Sequence, residues 1–371
     1  MSKNPFLPVR VGMIGCGTIS AAYFKHCKPF NILQIQAVAD LDLKRAQEKA
    51  KEYNIPKACS VKEMLKDPEI ELILNLTIPQ AHVQVNLDAL RAGKHVYSEK
   101  PFSLNVADGQ KVLTEAKKRK LLVGCAPDTV LGGGIQSCRK LIDDGAIGQT
   151  VGATVKFLCS GPESWHPNPG FLYKHGGGPM FDMGPYYLSS LITFFGSAKK
   201  VSAMNRTTYP KRTIGSGPLK GKKIRVETPT YLSGVIEFSN GVLATVTMSF
   251  DAAFPYTPSL EVYGSKSSMV CPDPNNFNGE IQLWSQPEYK WSAVPLTHNG
   301  EVGRGIGLAD MAYAIRSGRP HRANGELALH VVEIMEAFHI SASKEKPVYL
   351  KTSCKRPASL PSGLEIGKLD S

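Results

Sequence analysis

A glycine-bearing segment, Gly15-Cys16-Gly17-Thr18-Ile19-Ser20, stands directly after a short apolar, β-branched run and opens a stretch of helical composition. Gly15 permits a tight turn. Gly17 lets the backbone approach a bulky anion such as a pyrophosphate, which then sits at the positive end of the helix. Ser20 takes the place of the third glycine of such turns and is small enough for close helix–sheet packing. Asp40 follows 25 residues after Gly15, near the end of a second apolar run. A carboxylate there accepts bonds from adenosine ribose hydroxyls and repels a 2′-phosphate, which favours NAD over NADP. Lys44 and Arg45 lie just beyond and suit a 2′-phosphate, so NADP stays open. The competing reading is a structural turn beside a solvent-exposed Asp40.

A second motif is Glu99-Lys100-Pro101, again at the end of an apolar run. Parallel sheets bind ligands at the carboxyl ends of their strands. A lysine placed there, beside a glutamate and a bound cofactor, can hold a depressed pKa and exchange a proton with a substrate hydroxyl. Taken as three residues alone, the motif is equally a surface ion pair before a proline turn. Trp165 and His166 lie in a loop before the glycines at 176–178, where an aromatic and an imidazole can grip a sugar face and hydroxyl. Asp128 ends the last run of the first third, placed to contact substrate or to serve as a boundary turn residue. His82 either caps a helix or lines the cofactor site. Tyr173 and Tyr256 are pocket-wall or packing residues.

The elements that must position these residues divide the chain. Up to residue 127, short apolar strands alternate with helices, for example Val9–Ile14, 35–39, 71–76, 96–98 and 121–125 as strands and Leu43–Tyr53, 80–92 and 105–120 as helices. That grammar predicts an α/β Rossmann domain, a doubly wound parallel sheet. From 128 to 350 strands dominate, with a hairpin signal at Ser239-Asn240-Gly241 and two late helices near 307–317 and 324–343. This part reads as an α+β substrate and oligomerisation domain with an open antiparallel sheet, and residues 351–371 as a tail.

Composition narrows the class. The chain has 371 residues, 42% hydrophobic and 20% charged, and no apolar run long enough for a membrane helix. No leader pattern opens it, so a cytoplasmic location is expected. The eight cysteines include no CxxC pair, which argues for buried thiols and against a metal site. The net charge of +12 attracts anions, yet no nucleic-acid module is evident, and neither nucleic acid nor membrane is expected as a partner. A basic run, Lys211, Arg212, Lys220, Lys222, Lys223 and Arg225, reads first as a solvated loop and otherwise as a flap over an anionic ligand.

Taken together, VGMIGCGTIS, AVADLD, NLTIPQAH, AGKHVYSEKPFSL, LIDDGAIG and GGGPMFDMGPYYL resemble the glucose–fructose oxidoreductase/inositol dehydrogenase/rhizopine catabolism (Gfo/Idh/MocA) family, in order across residues 9–250. The resemblance implies a dinucleotide held by Gly15, Gly17, Thr18, Ile19, Asp40, Thr77, Pro79, His82, Glu99 and Lys100. It implies catalysis by Lys100, often before a cis proline bond, with Asp182 carried by the family's second motif. It also implies a homo-oligomer, a dimer or tetramer, and oxidation or reduction of a ring hydroxyl of a sugar, glycoside or inositol-like polyol with NAD(P). A histidine is common four residues after the aspartate; here that position is Tyr186, which the spacing sets on one helix face with Asp182. A phenol with a pKa near about 10 is a poor neutral-pH base, so proton transfer falls mainly to Lys100 and Tyr186 binds or relays. Asp182 capping its helix, with Pro185 in the first turn, is the structural alternative. Substrate contacts are expected from Lys100, Asp128, Trp165, His166, Asp182 and Tyr186. Two rival functions stay open: redox-neutral glycoside cleavage by a tightly bound NAD, and a non-catalytic dinucleotide-responsive regulator.

Overall fold

The computed structural model describes residues 6–253, 259–286 and 288–370; Tyr256 lies outside them. The chain opens with β1 (Val9–Ile14), α1 (Ser20–Cys27), β2 (Leu33–Ala39), α2 (Leu43–Tyr53), β3 (Lys57–Cys59), α3 (Val61–Lys66), β4 (Leu72–Asn75), α4 (Pro79–Arg91), β5 (His95–Ser98), α5 (Val106–Arg119) and β6 (Val123–Cys125). The six strands form one parallel sheet in the order β3-β2-β1-β4-β5-β6. Val11, Met13, Ile14, Leu72, Ile73 and Leu74 are buried, as expected of central parallel strands covered on both faces. The strand order reverses between β1 and β4. At that switch the loops leave in opposite directions and open a crevice at the strands' carboxyl ends. Helix starts are set by side-chain caps: Asp42 for α2, the Ser60–Glu63 capping box for α3, and Asn105, which accepts from the Asp108 N–H at 2.8 Å, for α5.

Beyond β6 come α6 (Gly133–Asp143), β7 (Thr150–Leu158), α7 (Gly178–Phe195), β8 (Ala198–Arg206), β9 (Lys211–Thr213), β10 (Lys223–Arg225), β11 (Tyr231–Phe238), β12 (Leu243–Ser249), β13 (Leu260–Gly264), β14 (Ser268–Cys271), β15 (Ile281–Ser285) and β16 (Lys290–Val294). The last elements are α8 (Ile306–Ser317), α9 (Gly325–Lys344) and β17 (Val348–Tyr349). Nine strands form a sheet ordered β16-β15-β14-β13-β7-β12-β11-β8-β17. It is mixed, not purely antiparallel: β7 and β12 run parallel, and the other pairs are antiparallel. In β11, Leu232 and Ile236 are buried on one face while Tyr231 and Val235 are exposed on the other.

Two compact units result: residues 1–136, 297–329 and 357–371 make the first, and 137–296 with 330–356 the second. The contiguous division expected from sequence therefore becomes a discontinuous one, in which α8 and residues 357–371 belong to the dinucleotide-type unit. Among the described residues no helix is long and apolar enough to cross a membrane. All eight cysteines are free thiols.

Candidate active site

The turn after β1 has the geometry its glycines predicted. Gly15 has φ +102°, and a Cβ there would stand 2.6 Å from the Leu76 carbonyl oxygen, so only glycine fits. A Cβ on Gly17 would meet nothing within 4 Å. Gly17 and Thr18 are exposed, and Ile19 begins α1 without any side-chain cap. Ser20 is fully buried and donates its hydroxyl to the Gly17 oxygen at 2.7 Å. The result is an open, uncapped helix start at the topological switch, which fits a pyrophosphate. Asp40, just past β2, accepts from the Cys16 N–H at 2.8 Å and the Asp42 N–H at 3.0 Å. It is therefore not the solvent-exposed acid of the competing reading, because its side chain is only 10% exposed.

The loop after β4 is braced from behind. Asn75 accepts from both the N–H and the hydroxyl of Thr77, at 3.1 and 2.7 Å, and donates to Asn86 at 2.7 Å. Pro79 starts α4. His82 corrects its assignment as a cofactor contact. It is 1% exposed, and its ring nitrogens face the carbonyl oxygens of Pro101, at 2.8 Å, and Thr77, at 3.0 Å. Burial pushes this imidazole below its ordinary value, against the pull of the two carbonyls. It is a strut joining the β4 loop to the Glu99-Lys100-Pro101 segment. A neutral imidazole donates to one of the two carbonyls, so His82→Leu should cost about 1–3 kcal/mol through the carbonyl left without its donor, read as a lowered denaturation midpoint with native secondary structure retained.

Lys100 follows β5, half-buried, and the Lys100–Pro101 bond is cis. Its N–H donates to its neighbour's carboxylate, Glu99 Oε2, at 3.0 Å. Glu99 is buried and has two further partners of its own. The Tyr23 hydroxyl donates to Oε1 at 2.8 Å, and the Arg304 guanidinium lies 3.8 Å from the same oxygen. Burial first, then the Glu99 charge, pushes the Tyr23 phenol well above its usual range, so it remains a proton donor to Glu99. Tyr23 and Arg304 escaped sequence reasoning: a tyrosine inside α1 and an arginine about 200 positions away from Glu99 carry no local signal.

Asp128 is a further correction. It is fully buried, and Oδ2 accepts from the Gly305 N–H at 2.7 Å and the Gly307 N–H at 3.1 Å. Its carboxylate holds the start of α8, the segment that presents Arg304, and is not available to a substrate. Burial raises its pKa, opposed by Arg304 and by the two N–H donors.

In the second unit, Asp182 and Tyr186 both lie on α7, one turn apart. The helix begins at Gly178, with Pro179 in its first turn, so Pro185 is an interior proline and Asp182 is not the N-cap. The capping alternative is thereby removed. Tyr186 is buried, Asp182 half-buried. Burial raises the Cys159 thiol, and the Asp182 and Glu163 carboxylates add to the effect, which puts these groups in one electrostatic neighbourhood. Trp165 is exposed, and its ring meets that of His166 edge-on at 5.5 Å; His166 meets Phe171 in turn at 5.6 Å. The His166 Nδ1 accepts from the Asn168 N–H at 3.0 Å.

The basic run forms the β9–β10 hairpin, and one of its cations is not solvated. Arg212, half-buried with its side chain 9% exposed, bonds Glu163 (2.7 Å), the Phe250 carbonyl (3.0 Å) and Asp251, while Tyr173 donates its hydroxyl to Glu163. The Arg212 guanidinium also faces the Tyr209 ring at 4.8 Å. Lys211, Lys220, Lys222, Lys223 and Arg225 are exposed.

Comparison with known proteins agrees with this geometry. Residues 9–126 match the oxidoreductase family with an NAD-binding Rossmann fold, and residues 135–270 match the GFO/IDH/MocA C-terminal domain. The chain is 28% identical over 273 residues to trans-1,2-dihydrobenzene-1,2-diol dehydrogenase of Bos taurus, covering 72% of this chain and 75% of the relative. It is 24% identical over 259 residues to myo-inositol 2-dehydrogenase of Thermotoga maritima, covering 70% and 73%. Among solved structures, levoglucosan dehydrogenase in complex with NADH and L-sorbose aligns with TM-score 0.80 at 20% identity, over 94% of this chain and all of that one. An NAD-binding oxidoreductase from Klebsiella pneumoniae aligns with TM-score 0.82 at 20% identity, with the same coverage. With both of its units matched and the glycine turn, Asp40 and Lys100 at the carboxyl edge of one parallel sheet, this chain belongs to the GFO/IDH/MocA family of NAD-binding oxidoreductases.

Proposed function

We propose that this chain is an NAD(P)-dependent dehydrogenase acting on a ring-hydroxyl carbon of a sugar, glycoside or inositol-like polyol. The observation that carries the reading is Lys100: a half-buried amine at the carboxyl end of β5, its backbone held by a buried glutamate, on the sheet whose β1 and β2 edge bears the glycine turn and Asp40. The relatives' names support the substrate class, since an inositol and a dihydrobenzene diol are both six-membered rings with secondary hydroxyls.

Oxidising such a carbon releases a hydride and a proton. When bound, the nicotinamide supplies the hydride acceptor. The proton falls to Lys100, whose neutral amine accepts it from the reacting hydroxyl. Tyr23 and Arg304 keep Glu99 in place, and Glu99 in turn fixes the Lys100 backbone. On the second unit, Asp182 and Tyr186 lie one turn apart on α7 and are that unit's candidates for binding ring hydroxyls. The test is a panel of cyclic polyols and glycosides incubated with NAD or NADP and followed by nicotinamide absorbance. At least one ring alcohol should give reduced nicotinamide; silence across the panel with both dinucleotides would sink the proposal.

A further inference from the structure

We propose that the outer face of the β9–β10 hairpin binds an acidic oligosaccharide, a sugar chain bearing an anion on successive rings. The strand register sets that face. Lys211 stands directly opposite Arg225, and Thr213 opposite Lys223, while Arg212 and Ile224 pair on the alternate face. Lys211, Thr213, Lys223 and Arg225 are exposed. Ile224 packs on the buried cluster of Tyr173, Val226 and Phe250, and Arg212 bonds Glu163 and Asp251. One face is thus an anchor that neutralises its own charge, and the other presents cations with nothing to offset them. No acid occurs between Asp182 and Glu227. Among the described residues, none of Lys211, Lys220, Lys222, Lys223 and Arg225 forms an ion pair. Like charges directly opposite one another weaken a two-stranded pairing, so Lys211 facing Arg225 is a cost that an anion between them removes.

A solvated loop would be free to spread these charges, but the backbone here is held. The Ile214 N–H donates to the Lys222 oxygen at 2.9 Å, the Gly221 N–H to the Ile214 oxygen at 2.8 Å, and the Gly215 N–H to the Glu163 oxygen at 2.8 Å. A Cβ on Gly217 would stand 2.8 Å from the Pro167 Cβ, so the turn packs against the loop that carries Trp165 and His166. Adjacent strands lie about 4.8 Å apart, and two residues along a strand span about 6.7 Å. One anionic group therefore fits between Lys211 and Arg225, and Lys223 calls for another a step further on, with Lys220 and Lys222 in the turn beyond. Such spacing suits a chain of anions and not a single one. That the chain is a saccharide rests on the proposed function: this unit carries Asp182 and Tyr186, and the exposed Trp165 ring beside the turn offers a flat surface to the apolar face of a sugar.

Calorimetric titration of the full chain with tetragalacturonate, and with maltotetraose as the neutral counterpart, tests this without dinucleotide or turnover. The acidic tetramer should bind at least about tenfold more tightly than the neutral one, and added salt should erase most of the difference. The double variant Lys211→Gln with Arg225→Gln should lose about tenfold in affinity for tetragalacturonate, as expected for two exposed charge contacts. Lys117→Gln with Lys118→Gln, on α5 of the other unit, makes the same change in net charge and should leave that affinity within about twofold. Equal affinity for the two tetramers, or equal losses in the two double variants, overturns the proposal. Tighter binding of oligothymidylate or of phosphatidylserine vesicles than of tetragalacturonate overturns the choice of a saccharide. None of these outcomes alters the expected oxidation of ring alcohols, which the dinucleotide panel reads separately.

Discussion

Lys100→Met should lower turnover on the best polyol of the panel by about 10³-fold, since general acid–base groups contribute roughly 10²–10⁴. Methionine keeps the length and apolar stem and removes the amine. The backbone N–H that donates to Glu99 Oε2 survives the change, as does the support of Glu99 by Tyr23 and Arg304. Dinucleotide affinity, measured by calorimetry, should therefore stay within about threefold of wild type, because the lost group acts mainly on the reacting proton. The loss should appear in kcat and kcat/KM together. A variant that turns over at near wild-type rate would remove Lys100 from the chemistry, while one that also fails to bind dinucleotide would move it to cofactor binding.

Gly15→Ala should abolish measurable dinucleotide binding and lower the thermal midpoint markedly. Two penalties coincide there. The φ of +102° is costly for a residue with a Cβ, about 1–3 kcal/mol. The new methyl would also stand 2.6 Å from the Leu76 carbonyl oxygen, which belongs to the backbone of the next loop and cannot rotate away. Gly93→Ala separates the two effects. Gly93 has φ +77° but open space where its Cβ would be, so its alanine carries backbone strain without a clash. Calorimetry should find NAD binding kept in Gly93→Ala and lost in Gly15→Ala. Equal binding by the two would show that the turn after β1 is not the phosphate cradle.

What the sequence disclosed was what local chemistry writes. Gly15, Gly17 and Asp40 act within one strand–turn–helix–strand unit, and the Asn105 cap and the Asn240-Gly241 hairpin are readable for the same reason: donor and acceptor are a few residues apart. Asp128 was misread because its partners, Gly305 and Gly307, are 177 and 179 residues away. His82 was misread because burial, which no spacing encodes, turned a ligand-like imidazole into a strut. Pro185 fits a first turn only where Asp182 caps the helix, and α7 already begins at Gly178. The parallel pairing of β7 with β12 is likewise invisible to alternation, which reports a buried face and not a strand direction. Arg212 shows the same limit. Its neighbours in sequence are solvated lysines, and only the folded chain brings Glu163 and Asp251 to it.

The discontinuous first unit has a consequence for how the protein is made. Strand β6, at the edge of the parallel sheet, is covered by residues from the far end of the chain: Gly124 bridges to Asn324, the Cys125 N–H donates to the Ala323 oxygen at 3.0 Å, and the His321 ring contacts the Val123 oxygen at 2.9 Å. During translation at about 5–20 residues per second, roughly ten to forty seconds separate the emergence of β6 from that of the residues from 321 to 324 that cover it. Throughout that interval the nascent sheet displays an unpaired strand edge, the kind that recruits other chains. Ribosomal products that stop short of residue 321 lack the residues that cover this edge and keep it unpaired.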